Sequence, residues 1–289
     1  MSIMRKNDSW AEWTKSATNI IWSDWKQKQG EVGRGHFGKC VRYIHKATGD
    51  ECVVKKQDNT LRARLETQCL AACSHANIAT FLGWKICNRS LHLAMEDCQG
   101  KELLHHINNK LSANTFMELS TIRQVTRQLL EAVRYLHDEM HMMHRDIKPD
   151  NIIFDLLTNR IKLVDFGYAC RDQFRYSSVG TPYYMAYEIV REGKYTHSVD
   201  EWSTGIVLYI MMYGTPLFND LYDHNIFKKI HDWNGVVSFP EHTAPPRSTD
   251  DVTDCNVVKE CIRRLLNRQP SERATAAQIL KHPWFAQSC

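Results

Sequence analysis

The chain has 289 residues, 43% hydrophobic and 24% charged, which is ordinary for a globular protein and argues against wholesale disorder. This length favours two lobes over one large core. The formal net charge of +4 is small beside 37 basic and 33 acidic side chains. Composition therefore gives no case for nucleic-acid or membrane binding.

Ten cysteines are scattered along the chain without a Cys-x-x-Cys pair, which disfavours a zinc ribbon or a thioredoxin-type site. The segment from residue 1 to 25 contains no apolar core of a signal peptide. The longest apolar stretch, residues 206–213, is far too short to span a membrane. We therefore expect reduced thiols and an intracellular protein of the cytoplasm, the nucleus or both.

Residues 1–24 are mostly polar, with tryptophans at 10, 13 and 22, and are predicted to form an N-terminal extension. A glycine-rich segment, residues 33–38, follows. Residues 39–44 alternate polar and apolar side chains, which predicts a strand rather than the helix of a Rossmann unit. A second strand over residues 51–55 completes a hairpin whose glycines let backbone N–H groups approach phosphate oxygens.

Lys55 and Lys56 end that strand, and such a pair is often only a solvated strand end. Residues 59–73 are predicted to form a helix with an apolar side made of Leu61, Leu65, Cys69, Leu70 and Cys73. Glu66 lies among these positions, and a carboxylate there needs a cation, for which Lys55 is the candidate. Apolar segments at 78–82, 84–87 and 91–95 predict a small, mostly antiparallel sheet, and residues 96–100 a linker.

The rest of the chain is predicted to be mostly helical. Residues 116–139 have helical apolar spacing, and residues 200–213 are apolar nearly all round, which predicts a buried helix. Short strands are predicted at 152–154 and 161–164, and closing helices at 257–266 and 275–280.

Two loops crowd polar groups together. The segment His144–Asn151 contains Pro149, which excludes a helix interior, and it is too charged for a core strand. Asp165-Phe166-Gly167 supplies a second acid after a short hairpin. Each loop alone is compatible with a solvated turn, but two carboxylates and an amide together suit divalent-metal and phosphate chemistry.

These motifs, in this order, resemble the protein kinase family over roughly residues 25–285. The resemblance rests on the glycine loop, Val53-Val54-Lys55, Glu66, His144-Arg145-Asp146 with Asn151, Asp165-Phe166-Gly167, Ala186-Tyr187-Glu188, Asp200-Glu201-Trp202 and Arg273. Lys148 and Gly180-Thr181 are similar to the serine/threonine type. His282-Pro283-Trp284-Phe285 resembles the calmodulin-dependent-like group, and the surroundings of Asp24-Trp25 resemble the checkpoint-kinase type.

The resemblance implies an α+β, two-lobed kinase fold. A small antiparallel-sheet N-lobe with one main helix would span 25–95, a hinge 96–100 and a larger, mostly helical C-lobe 101–285. It also implies ATP-dependent transfer of the γ-phosphate to serine or threonine hydroxyls of proteins, with basic residues upstream of the acceptor. The alternatives are a pseudokinase-like scaffold or binding module with little catalysis, and a small-molecule or lipid kinase.

The resemblance further implies site residues. Lys55, held by Glu66, would contact the ATP phosphates, Asp146 would orient the substrate hydroxyl, and Lys148 would lie near the transferred phosphate. Asn151 and Asp165 would hold Mg²⁺, for which Mn²⁺ would substitute. The ATP-binding set is Val32, Gly33, Arg34, Gly35, His36, Phe37, Gly38, Cys40, Val53, Lys55, Met95, Glu96, Cys98 and Glu102.

Glu102 and Asp150 also match positions that receive a substrate arginine in basophilic kinases, although both are equally compatible with plain surface acids. Arg145 would pair with a phosphate on the activation segment, where the candidate acceptors are Tyr176, Ser177, Ser178 and Thr181. The alternative is a polar loop that needs no phosphate. Expected partners are protein substrates and an upstream kinase or regulatory protein, and the chain is expected to be a monomer.

Four positions depart from the family pattern. Val53 and Cys40 replace an alanine and a valine near the adenine site, and Tyr187 replaces a proline, which puts the angle of the Glu188–Arg273 ion pair in doubt. Glu201 places a charge where an apolar residue is common.

Overall fold

A computed structural model describes residues 21–30, 32–35, 38–172, 175, 179–240 and 249–286. The chain forms two compact units, of which the first comprises Met1–Cys98 with Asp165–Ala169. The second comprises Gln99–Val164 with Cys170–Cys289. Within the described ranges, none of the helices has the length and apolarity needed to cross a bilayer.

The first unit is built on an antiparallel sheet of six strands in the order β1-β3-β4-β6-β5, with β2 paired to β3. The strands are β1 (Trp25–Gln27), β2 (Gly33–Gly35), β3 (Gly38–His45), β4 (Glu51–Asp58), β5 (Phe81–Cys87) and β6 (Ser90–Glu96). Alternation along β3 and β4 buries one face around Val41, Val54 and Ala94. The sheet predicted from the alternating pattern is therefore present.

Trp22 extends this core from the chain segment before β1. Its ring meets the ring of Tyr43 edge-on, with 6.2 Å between centroids, and the Lys85 ammonium lies 4.2 Å from the Trp22 ring centroid. This contact stabilises the start of the described chain against the sheet. The other tryptophans of the predicted extension, Trp10 and Trp13, lie outside the described residues.

Helix α1 (Leu61–Ala72) has a different buried face from the predicted one. Its inward positions are Ala63, Glu66, Thr67, Cys69 and Leu70, whereas Leu61 and Leu65 are 75% and 42% exposed. The spacing of 63, 66, 67 and 70 follows one helical stripe, so the prediction was wrong for Leu61 and Leu65. The helix turns its carboxylate inward, where that group has charged partners, and leaves two leucines in solvent.

The second unit is mostly helical, with a small sheet in the order β7-β8-β9. Its elements are β7 (Lys101–Glu102), α2 (Leu103–Ser112), α3 (Leu119–Arg134), β8 (Ile152–Asp155), β9 (Arg160–Leu163), α4 (Tyr187–Val190), α5 (Ser198–Tyr213), α6 (Asp223–His231), α7 (Thr249–Leu265), α8 (Ala276–Leu280) and α9 (Pro283–Ala286). Every residue of α5 is buried, as its all-round apolarity predicts. A π-turn, Tyr135–Glu139, continues α3 towards the loop at residue 144.

Candidate active site

A largely buried group of polar side chains in the first unit, the lysine cluster, comprises Lys55, Gln57, Glu66 and Asp165. The Lys55 ammonium lies 2.5 Å from Glu66 Oε1 and 2.9 Å from Asp165 Oδ1. Burial alone would lower the pKa of Lys55, but the two carboxylates outweigh burial and raise that pKa above its ordinary value. Lys55 therefore stays cationic, and the predicted partnership with Glu66 is present.

Gln57 is a member of this cluster that sequence reasoning missed. Its Nε2 donates to Glu66 Oε2 at 3.0 Å, so the second oxygen of the buried carboxylate is also satisfied. Gln57 follows Lys55 by two positions on β4, and both side chains therefore leave the same face of the strand. That alternation was the available signal.

The segment Asp165-Phe166-Gly167 is held in a tight turn beside α1. Asp165 adopts a left-handed backbone conformation with φ of 58°, and its Oδ1 accepts from the Gly167 N–H at 3.1 Å. Arg62 Nε donates to the Gly167 carbonyl at 2.8 Å, and its guanidinium lies 3.9 Å from the Tyr168 ring centroid. These contacts from α1 hold the turn that carries Asp165. No motif in the sequence pointed to Arg62.

The glycine segment forms the predicted hairpin between β2 and β3, in which Gly33 pairs with Cys40 and Gly35 with Gly38. A Cβ on Gly38 would come within 2.4 Å of the Lys56 carbonyl, so no other residue fits there without a backbone shift. Val32 is exposed and donates its N–H to the Cys40 carbonyl. His36 and Phe37 lie outside the described residues, and so does the side chain of Arg34.

The remaining predicted ATP-binding residues of the first unit lie on neighbouring strands or at their ends. Cys40 pairs with Lys55 in register, and burial raises the pKa of its thiol to about 11, so the thiol is not ionised. Val53 pairs with Met95, which is buried. The Glu96 carboxylate accepts from the Thr80 N–H at 2.8 Å, and the Cys98 thiol contacts the Glu96 carbonyl.

The aspartate cluster, in the second unit, comprises Asp146, Lys148, Asn151 and Thr181. Asn151 Nδ2 donates to the Asp146 carbonyl at 2.8 Å and to Asp146 Oδ2 at 2.9 Å. Lys148 Nζ lies 3.1 Å from Asp146 Oδ2 and donates to Thr181 Oγ1 at 2.8 Å. The Thr181 hydroxyl then donates to Asp146 Oδ1 at 3.1 Å. Both oxygens of the Asp146 carboxylate are therefore held in place, Oδ2 by Asn151 and Lys148 of the same loop and Oδ1 by the distant Thr181.

Asp200, at the start of α5, supports the backbone of the same loop. Its two carboxylate oxygens accept the N–H groups of His144 and Arg145, each at 2.8 Å. Arg145 has a φ of 68°, which is strained for a non-glycine residue, and the hydrogen bonds that the loop donates to Asp200 stabilise this conformation. The sequence motif singled out Asp200 but did not predict this contact. His144 is fully buried, and its Nε2 lies 3.2 Å from the Val164 carbonyl.

Arg145 Nη1 donates to the Tyr195 hydroxyl at 3.1 Å. Three of the predicted activation-segment acceptors, at positions 176–178, lie outside the described residues, so the role of Arg145 stays a prediction. Glu102 opens α2, and burial together with the charge of Asp150 raises the pKa of its carboxyl. Asp150 is therefore near enough for its charge to disfavour ionisation of the Glu102 carboxyl.

Tyr187 leaves the neighbouring ion pair intact. Arg273 binds Glu188 through two parallel contacts, at 2.7 Å from Nη1 and 2.9 Å from Nη2, which is the strong bidentate geometry. The Tyr187 hydroxyl accepts instead from Arg191 and Arg268. Glu201, which places a charge where an apolar residue is common, is buried. Its Oε1 lies 3.1 Å from His137 Nδ1.

The Asp165 carboxylate and the Asn151 amide oxygen are each of the donor type that a hard divalent cation prefers. Asn151 donates both of its hydrogen bonds to Asp146 through Nδ2, so neither bond engages the Oδ1 atom of Asn151.

Residues 26–285 match the protein family described as "Protein kinase domain". Calcium-dependent protein kinase 5 of Plasmodium falciparum is 32% identical over 265 residues, covering 88% of this chain and 44% of the relative. Serine/threonine-protein kinase H1 of Homo sapiens is 32% identical over 265 residues, covering 88% and 59%. A probable myosin light chain kinase of Dictyostelium discoideum is 32% identical over 273 residues, covering 89% and 66%.

The chain therefore belongs to the eukaryotic serine/threonine protein kinase family, which confirms the predicted family and two-lobed fold class. Family membership implies ATP and a divalent metal in general terms. The chain spans 44% of the length of the Plasmodium relative and 59% of the length of the human one. The checkpoint-kinase subgroup stays a prediction.

Proposed function

We propose that this protein transfers the γ-phosphate of ATP to serine or threonine hydroxyls of protein substrates. The observation that carries the proposal is the hydrogen-bonded set of Asp146, Lys148 and Thr181, because it brings a carboxylate, a cation and a hydroxyl into mutual contact. Phosphoryl transfer asks the protein mainly for positioning and charge stabilisation, and both clusters offer these.

On the donor side, Lys55 would bind the phosphates of ATP. Its retained positive charge and its fixed position between Glu66 and Asp165 support this role, since a point charge must be held in place to stabilise the transferring group. The hairpin of β2 and β3 would cover the phosphates with backbone N–H groups. Val53, Met95, Glu96 and Cys98 would surround the adenine.

On the acceptor side, Asp146 would accept a hydrogen bond from the substrate hydroxyl and take its proton. The two oxygens of Asp146 are oriented by Asn151, Lys148 and Thr181, so the carboxylate is held before substrate arrives. Lys148 would stabilise charge on the transferred phosphoryl group. Its bond to the Thr181 hydroxyl supports assignment to the serine/threonine rather than the tyrosine class.

We propose Mg²⁺ as the metal, with Mn²⁺ as a substitute, held by Asp165 and Asn151. The bound metal would neutralise phosphate charge. The oxygen-only donor set of these two residues supports a hard cation over a softer one.

Substrates with arginine upstream of the acceptor are favoured by the paired acids Glu102 and Asp150. Burial and then the charge of Asp150 raise the pKa of Glu102, and a guanidinium would relieve the repulsion between the two acids. We further propose an intracellular monomer acting in the cytoplasm or nucleus and controlled by an upstream kinase. The thiols of Cys52 and Cys261 are free and buried, which is consistent with a reducing compartment.

The test is transfer from radiolabelled ATP to three peptide libraries that fix serine, threonine or tyrosine at the acceptor position. We expect labelling of serine and threonine peptides, with enrichment of upstream arginine. The Asp146→Asn variant serves as the matched inactive control. Labelling no greater than that control would favour the scaffold alternative, and labelling of tyrosine alone would contradict the assigned class.

A further inference from the structure

His137, His197 and Glu201 form a compact group, the histidine–glutamate cluster, to which the kinase reaction assigns no role. His137 lies in the π-turn after α3, Glu201 in the first turn of α5, and His197 just before α5. Their potential ligand atoms all lie within 4.8 Å of one another. His137 and Glu201 are buried, whereas the His197 side chain is 50% exposed, so the cluster opens to solvent on one side.

Glu201 has one satisfied oxygen and one unsatisfied oxygen. Its Oε1 lies 3.1 Å from His137 Nδ1 and accepts from the Ala276 N–H at 3.2 Å. Its Oε2 is buried without a hydrogen-bond partner among the described residues, and His197 Nδ1 is 3.8 Å away. A buried carboxylate oxygen left without a partner is costly, so this atom is a position where a ligand would be stabilised.

His137 is oriented as metal-binding histidines usually are. Its Nε2 lies 2.9 Å from Asp200 Oδ2, and this carboxylate turns the opposite nitrogen, Nδ1, towards Glu201. A carboxylate behind the imidazole sets the tautomer and strengthens the histidine as a ligand. Asp200 therefore supplies an outer contact as well as holding the loop at His144 and Arg145.

We propose that His137 Nδ1, His197 Nδ1 and the Glu201 carboxylate bind a divalent transition metal, with Zn²⁺ as the fitting ion. Two imidazoles and one carboxylate are typical ligands of tetrahedral zinc, and water would take the fourth position on the open side. Zinc bonds of about 2.0–2.1 Å place tetrahedral ligand atoms about 3.3 Å apart. His137 Nδ1 lies 3.1 Å from Glu201 Oε1 and His197 Nδ1 lies 3.8 Å from Glu201 Oε2, and all the ligand atoms lie within 4.8 Å of one another. Binding therefore requires the half-exposed His197 to rotate towards the two buried groups.

Metal binding must displace the proton that otherwise joins His137 to Glu201. Burial alone would lower the pKa of His137, but Glu201 and Asp200 outweigh burial and raise it to about 10. The proton on Nδ1 leaves to solvent when the metal binds. The alternative is that protonated His137 forms a permanent ion pair with Glu201 and Asp200 and that no metal binds.

The experiment titrates the full chain, freed of any affinity tag, first with Co²⁺ as a spectroscopic probe and then with Zn²⁺ as competitor. Tetrahedral nitrogen and oxygen ligation gives visible Co²⁺ bands, whereas binding to one of the cysteines adds thiolate charge-transfer bands in the near ultraviolet. His197→Ala removes a half-exposed ligand with little risk to folding. His231→Ala is the matched control, because His231 is also half-exposed and lies 2.9 Å from a carboxylate, that of Asp232.

We expect visible Co²⁺ bands that Zn²⁺ removes, in the parent chain and in His231→Ala. We expect His197→Ala to bind Zn²⁺ at least tenfold more weakly, with unchanged circular dichroism. Glu201→Gln, which keeps the shape of the side chain, is expected to weaken binding as well. Equal Zn²⁺ affinity in His197→Ala and His231→Ala, or Co²⁺ bands of thiolate type alone, would overturn the proposal.

Discussion

The lysine cluster and the aspartate cluster hold carboxylates in opposite ways. The lysine cluster places Lys55 and Glu66 on regular elements, β4 and α1, and both side chains are almost completely buried. The aspartate cluster lies on a loop with a strained backbone, and directional hydrogen bonds hold Asp146 there. The first cluster depends on charge compensation in a low-dielectric interior, whereas the second depends on geometry. Loss of a partner should therefore affect stability most in the first and chemistry most in the second.

Asp146→Asn tests the second half of this comparison and should have the largest effect. We expect kcat to fall by about 10² to 10⁴, because a general base normally contributes that much. ATP affinity and the free energy of unfolding should change little, since Asn keeps the shape of the side chain. Steady-state phosphorylation, nucleotide binding and chemical denaturation measure the three quantities. Near-full turnover by this variant would rule out the proposed role of Asp146.

Lys55→Met tests the first half. Removing the ammonium leaves Glu66 buried without its cation, which should cost about 3–5 kcal/mol in the free energy of unfolding, besides most of the activity. Lys56→Met is the matched control, because Lys56 is the next residue on β4 and bonds Gln27 near the surface. Denaturant titration of both variants makes the comparison. Equal free energies of unfolding for Lys55→Met and Lys56→Met would show that Lys55 does not stabilise the protein by compensating the charge of Glu66.

Thr181→Val removes the hydroxyl that joins Lys148 to Asp146 while keeping the side-chain volume. We expect a loss of about 0.5–1.5 kcal/mol in transition-state stabilisation, which is a fall of roughly two- to tenfold in kcat/KM. Thr181→Ser keeps the hydroxyl and should retain most activity. If Thr181→Ser loses as much as Thr181→Val, the methyl group rather than the hydrogen bond is responsible.

Glu102→Gln should have the smallest effect. Glu102 is exposed over much of its surface and only partly desolvated, so its loss should weaken the preference for upstream arginine by no more than about fivefold, corresponding to about 1 kcal/mol at most. Activity on peptides without upstream arginine should be unchanged. Peptide pairs that differ only at the arginine measure the preference. An unchanged arginine preference would leave Glu102 as a plain surface acid.

Much of this molecule could be read from local pattern. Alternating residues predicted the strands around Lys55, the all-round apolar run predicted the buried helix α5, and the proline and charges predicted the loop at Asp146. These features depend on residues only a few positions apart in the chain. The regular period of a strand or a helix decides which of those residues share a face, so their spacing in the sequence is informative by itself. The order of the motifs then sufficed to identify the family.

Other features depend on contacts between distant positions and emerged only in three dimensions. The rotation of α1 that exposes Leu61 and Leu65 follows from where Glu66 finds its partners, and helical spacing alone did not reveal it. The contact of Asp200 with His144 crosses 56 positions, and that of Glu201 with His137 crosses 64. A buried charge is tolerated only where packing brings a compensating group to it, so its position becomes intelligible once the chain has folded.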